Sequence, residues 1–214
     1  VFDSLPDKTV TVSTTDDDVA DFTITETMAN TIVSEAGSTD TFSVILTAKP
    51  ISPVVLTVAS NDTTEATVDK APLTFQPDFW NVAQTVTVTG VDDNNVDGAQ
   101  STPIAVNVDA ANSADAFDAL PQKTVTVSTT DDDVADLMVQ ETNGSTTVSE
   151  SGTQDTVQIS LTAQPILDVV LNLQLSDASE ATSDTTSLTF TNANWNIPRT
   201  VTITGVDDPA ADGD

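Results

Sequence analysis

Hydrophobic and polar residues alternate along this chain with a period of two, in short runs broken by glycine, proline, asparagine and aspartate. Residues 84–91 show it best. Val86 and Val88 fall on one face and Thr85, Thr87 and Thr89 on the other, and Gly90 is expected to bulge or bend the strand and shift the register before Val91. The same pattern predicts strands over residues 22–27, 31–34, 41–47, 54–59, 72–75, 103–108 and 123–129, punctuated by Gly37, Pro50, Pro53, Asn61-Asp62, Gly98 and Pro121. No 11-residue window carries helical periodicity. The predicted fold is all-β, built as a two-sheet Greek-key sandwich.

A shift of 115 positions superposes the sequence on itself without a gap: Phe2 on Phe117, Pro50 on Pro165, Trp80 on Trp195, Gly90 on Gly205. Between Phe2 and Asp21, 18 of 20 positions match, including the run Lys-Thr-Val-Thr-Val-Ser-Thr-Thr-Asp-Asp-Asp-Val-Ala-Asp at 8–21 and 123–136; between Phe22 and Ala99 only 37 of 78 match. That period is too long for a solenoid turn and suits an immunoglobulin-like sandwich. The expected organisation is a final strand and acidic linker of a preceding repeat over 1–21, a full sandwich with its acidic linker over 22–136, and an incomplete second sandwich over 137–214. The last lacks counterparts of residues 102–129, two strands, so completion in cis or by another chain is expected.

Composition narrows the chemistry. With 34 acidic and 5 basic residues the net charge is −29, which repels nucleic acid and anionic membrane and makes cations the natural partners. The chain has no cysteine and no histidine, which removes thiol catalysis, disulfides and the usual zinc and iron ligand sets. Trp80 and Trp195, one per unit and each just before a strand, read as core plugs rather than sugar platforms. A glycosidase needs two acids across a sugar-binding cleft, and with no tyrosine and few other aromatics no enzyme is expected. The Asn61 and Asn143 sequons are frequent chance matches.

The acids fall where the predicted strands end. Glu35 closes an early strand, Asp62 follows the 54–59 strand, Asp92, Asp93 and Asp97 follow the 84–91 strand, and Asp131, Asp132 and Asp133 follow the last. Loops at one end of a sandwich come together, and so many carboxylates need counter-charge. Calcium, with six to eight oxygen ligands, suits such a set better than magnesium, so two or more calcium ions are expected. Asp93, Asn95, Asp97 and Gly98 also match half of an EF-hand loop, but position twelve is Ile104 and no helices flank it.

The runs Val33-Ser34-Glu35-Ala36-Gly37, residues 85–93 (Thr-Val-Thr-Val-Thr-Gly-Val-Asp-Asp), Asp97 and the closing Val-Thr-Val-Ser-Thr-Thr-Asp-Asp-Asp resemble a Calx-β domain. Leu73-Thr74-Phe75 with Trp80-Asn81 is similar to the Calx-β repeats of large bacterial surface proteins. The resemblance implies calcium ligands at Glu35, Asp62, Asp92, Asp93, Asp97, Asp131, Asp132 and Asp133, with a carbonyl from Asn95. It implies the matching set Glu150, Asp177, Asp207, Asp208 and Asp212 in the second unit, and it assigns Asp16, Asp17 and Asp18 mainly to a preceding unit.

The expected function is therefore structural: an extracellular, secreted or bacterial cell-surface repeat whose calcium-loaded joints stiffen an adhesin stalk, each unit adding roughly 35 to 45 Å. Neighbouring repeats or other copies of the chain are the expected partners, without nucleic acid or membrane insertion. The alternative is a filament, sheath or surface-layer subunit assembled by strand donation between chains.

Overall fold

The computed structural model describes residues 5–207 and 209. Its first unit packs two sheets face to face. One holds β1 (Phe22–Glu26), β3 (Thr39–Leu46), β7 (Gln84–Gly90) and β5 (Ala66–Val68), side by side in that order. The other holds β2 (Thr31–Ser34), β9 (Lys123–Thr130), β8 (Gln100–Val108), β4 (Val54–Ser60) and β6 (Leu73–Phe75). The period-two pattern is what brings them together: Phe42, Val44, Leu46, Val86 and Val88 from one sheet meet Leu56, Val58, Ile104, Val106, Val125 and Val127 from the other in a single core. Trp80 packs against its edge. Every residue of this core lies between positions 20 and 127, so the first unit draws nothing from the second.

The expected strands form, with shifts at their ends. β3 starts at Thr39 and β8 at Gln100, upstream of Pro103, which pairs with Thr126 inside the strand. Pro103 faces the side on which β4 has already ended at Ser60, so its missing N–H costs no ladder bond there. The short β5 is additional. Gly90 makes no bulge: it pairs in register with Ala66, and its lack of a side chain serves a different purpose, described below.

The chain switches sheets within its first strand pair. β1 runs antiparallel to β3, the turn Thr27–Ala29 kinks the chain, and β2 continues in the other sheet, parallel to β9. Met28 (φ 53°) and Ala29 (φ 62°) both sit in the left-handed region to make this switch. The second unit uses Asn143 and Gly144 at the same two positions.

In the second unit β10 (Leu137–Glu141), β11 (Gln154–Leu161), β15 (Arg199–Gly205) and β13 (Ala181–Ser183) reproduce the first sheet. Of the second sheet only β12 (Val169–Asn172) and β14 (Ser187–Phe190) form. Residues 146–149, the counterpart of β2, are not a strand, because among the described residues no counterpart of β9 stands beside them. Residues 8–15 correct another expectation. They carry the same eight letters as β9 yet form no strand: Val10 is 83% exposed where Val125 is 1% exposed. A strand needs neighbours on which to hang its backbone groups, and residues 8–15 have none among the described residues.

Two non-glycine residues in the left-handed region cost of order 1 kcal/mol each or more. Replacing Met28→Asn and Ala29→Gly, the residues of the second unit, is expected to raise the stability of the first unit by about 1–2 kcal/mol in urea unfolding. An unchanged midpoint would show that the switch is unstrained.

Candidate metal centre

Strand directions decide where the acids meet. β2 and β4 both run parallel to β9, so all three finish at the same end of the sandwich, and β7 finishes there in the facing sheet while β5 begins. Ser34 on β2 lies so close to β7 that a Cβ on Gly90 would sit 2.1 Å from the Ser34 carbonyl oxygen. Glycine is required for that approach, and the approach places Glu35 over the loop that follows β7. Three hydrogen bonds tie the loops together. Glu35 N–H donates to the Thr130 carbonyl (3.0 Å), Val91 N–H to the Glu65 carbonyl (2.9 Å), and Gly98 N–H to the Asp131 carboxylate (2.8 Å).

Glu35 is 1% exposed, and neither of its carboxylate oxygens has a hydrogen-bond partner. One buried oxygen of Glu65 and one of Asp133 are also unpartnered. All five basic residues are described, and their ion pairs among the described residues are Lys49 with Asp78 and Lys123 with Asp21, neither of them part of this cluster. Burial therefore raises the Glu35 carboxyl, helped by the charges of Asp131, Asp93, Asp97 and Glu65, to about 7. Glu65 is raised by burial and by Asp97, Asp62 and Asp93; Asp133 by burial and by Asp131, Asp132, Asp92 and Asp93. Asp131 goes the other way, because the Gly98 and Asp133 N–H groups bond its ionised form.

These carboxylates form two overlapping sets. One oxygen each from Glu35, Asp93 and Asp133 lie within 4.8 Å of one another, as do oxygens from Glu65, Asp93 and Asp97. An ion held at ~2.4 Å from each of its ligands fits oxygens that far apart, and hard oxygen donors are what calcium takes. Asp93 belongs to both sets and is fixed by accepting the Asn95 N–H at 2.7 Å.

The other expected ligands are distributed as follows. Asp131 and Asp132 stand beside the cluster, and Asp92 lines a shallow pocket with Glu35 and Asp132. Asp62 is exposed and turned toward Thr64, whose N–H (3.0 Å) and hydroxyl it accepts; it faces Glu65 only as a neighbouring charge. Asn95 pairs with Gln164 in a parallel bridge in which the Gln164 N–H donates to the Asn94 carbonyl, and its own N–H donates to Asp93. In the second unit Glu150, Asp177 and Asp207 are all exposed, and Asp177 is bonded to Ser179. Asp208 and Asp212 lie outside the described residues. Asp16, Asp17 and Asp18 are exposed, Asp18 N–H bonding the Asp16 carboxylate at 3.1 Å. Glu65 was not foreseen. Its signal is in the repeat, where Asp62-x-x-Glu65-Ala-Thr recurs as Asp177-x-x-Glu180-Ala-Thr.

The loop carrying Asp93 and Asp97 also touches the second unit. Gln164 N–H donates to the Asn94 carbonyl at 2.7 Å, Asn95 bridges Gln164, and Val96 lines an apolar pocket with Ala163, Pro165 and Ile166. The linker enters the second unit through Thr162, whose hydroxyl bonds the Val134 and Asp136 carbonyls (2.6 and 3.1 Å).

No protein-family model and no curated protein sequence matches this chain. Among solved structures it is similar to calcium binding domain CBD12 of CALX1.1, at 16% identity over 87% of this chain and 76% of that one, TM-score 0.38. It is similar to the apo-form Calx CBD1 domain at 14% identity over 52% and 98%, TM-score 0.36. Domains 4–9 of the surface layer protein SbsC match at 15% identity over 92% and 28%, TM-score 0.35. Overlaps at these scores carry no argument about function.

Glu35, Glu65 and Asp133 bind protons more tightly in the folded chain than in the unfolded one. Without a cation, stability therefore falls as the pH rises from the ordinary carboxylate range through about 7. Asp62 and Asp131, held low, act only below that window. In chelator the melting temperature is expected to rise as the pH is lowered from about 8 to about 5.5, and Glu35→Gln is expected to flatten that slope. Identical slopes in wild type and variant would contradict the reading.

Proposed function

We propose that this cluster holds calcium, with Asp93 shared between two ions, and that loading it stiffens the joint between consecutive sandwiches of an extracellular structural repeat. The observation that carries the proposal is Glu35, fully buried with both oxygens unpartnered among other carboxylates and with no basic residue to offset them. Burying such a group uncompensated is costly, and a divalent ion supplies both the charge and the missing contacts. The motif resemblance to Calx-β domains favours the same ion.

Stiffening follows from the double duty of one loop. Asp93 and Asp97 face the ions, while Asn94, Asn95 and Val96, between them, dock on the second unit. Ordering the ligands orders the docking residues, so calcium is linked to both fold and joint. Extracellular calcium, a chain without cysteine, and repeats in tandem suit a cell-surface or adhesin stalk.

Calcium in excess is expected to stabilise the chain, by about 2.7 kcal/mol at a free concentration roughly a hundredfold above its Kd. It is also expected to narrow the distribution of end-to-end distances in X-ray scattering. Glu35→Gln and Asp93→Asn should each remove most of both effects. A melting temperature indifferent to calcium would sink the proposal.

A second reading, assembly through strand donation, is favoured by the exposed valines of residues 8–15 and by the unpaired residues 146–149. Val10 and Val12 are 83% and 77% exposed, so changing both to aspartate leaves the monomer fold untouched. Concentration-dependent association in light scattering, abolished by that double substitution, is the expected result; a wild-type chain that stays monomeric would count against it.

A further inference from the structure

The joint inside the chain shows how one sandwich receives another, and the repeat places the same receiving surface on the opposite end of the first unit. Gln164, Pro165 and Ile166, which take the 94–96 loop, correspond to Lys49, Pro50 and Ile51. Ile51 is 95% exposed, above a buried Ala48 that corresponds to Ala163. The approach to this surface is also the same. Thr47 N–H donates to the Asp21 carbonyl at 2.9 Å, and its hydroxyl bonds the Val19 and Asp21 carbonyls at 3.0 Å each. Thr162 makes the same three contacts with Val134 and Asp136. The segment leading from Asp16, Asp17 and Asp18 is therefore anchored on the first unit as the segment from Asp131, Asp132 and Asp133 is anchored on the second.

We infer that the Lys49-Pro50-Ile51 loop is a docking surface for the acidic loop of another sandwich of this repeat type, a loop built like residues 92–98. Three features fit that occupant. The Lys49 N–H stands where the Gln164 N–H donates to the Asn94 carbonyl. Ile51 stands where Ile166 lines an apolar pocket together with Val96. Lys49 brings one of the chain's five positive charges to a face whose partner is dense in carboxylate. Its existing contact with Asp78, 3.9 Å between two exposed side chains, is too weak to hold it back. An uncharged glutamine serves in the joint within the chain, whereas a lysine adds steering toward an acidic partner arriving without that tether.

This inference rests on the proposed cation-loaded joint, and the test separates the two. The chain has no cysteine, so single introduced thiols report single contacts. The full chain carrying Ile51→Cys is mixed with a fragment of residues 19–136 carrying Val96→Cys, which contains every residue of the first core and whose 92–98 loop is uncovered. The control places the thiol at Met28, 91% exposed on the flank of the sandwich. Disulfide formation in calcium is expected to be at least about fivefold faster at position 51 than at position 28, and Lys49→Glu is expected to return it to the control rate. Equal rates at 51 and 28, with calcium still raising the fragment's melting temperature, would overturn the docking surface alone. Preferred cross-linking at 51 without any effect of calcium on melting would keep the surface and remove the cation-loaded joint beneath it.

Discussion

Mutual repulsion among carboxylates, some of them buried, is the constraint on which the first sandwich turns. The hydrophobic core draws the ends or starts of four strands to one place, and each brings acid with it: Glu35 after β2, Glu65 before β5, Asp93 and Asp97 after β7, Asp133 after β9. The core's burial energy can hold them there, but nothing in the chain neutralises them. Protonation relieves part of the strain, and on the proposed reading a divalent ion relieves more.

The parallel pairing of β2 with β9 is the structural counterpart of that constraint. It fixes Glu35, whose N–H donates to the Thr130 carbonyl, while Ser34 lies so close to β7 that position 90 must be glycine. The second unit provides the comparison within one molecule. Its Gly205 approaches the Ser149 carbonyl just as closely, yet residues 146–149 do not pair and Glu150 is exposed. Where the last strand pairs, the glutamate is buried; where none stands beside residues 146–149 among the described residues, it is a surface charge. One loop thus joins the acidic cluster to the neighbouring unit, since Asn94, Asn95 and Val96 lie between Asp93 and Asp97.

Much of this was legible because side-chain alternation is a local property. Val86 and Val88 announce a two-faced strand whatever surrounds them, and aspartates just past a strand's end must sit in the loop there. What was not legible depends on partners. Residues 8–15 and β9 are the same letters with opposite outcomes, so no reading of the letters alone could separate them. Glu65 precedes a three-residue strand too short to show alternation, and only its recurrence as Glu180 marked it. For Asp62, position alone does not show that one carboxylate oxygen accepts the N–H and hydroxyl of Thr64 two residues on. Gly90 was read as a bend because a glycine in a strand reports closeness of something without saying what.

The central claim is that the buried carboxylates are a divalent-cation site rather than a strained surface. Anomalous X-ray diffraction from crystals of this chain grown in calcium tests it most directly. The account predicts two peaks with oxygen ligands at ~2.3 to 2.6 Å, one among Glu35, Asp93 and Asp133 and one among Glu65, Asp93 and Asp97. A map with no peak at either position, with Glu35 bonded instead to protein or water, would contradict it.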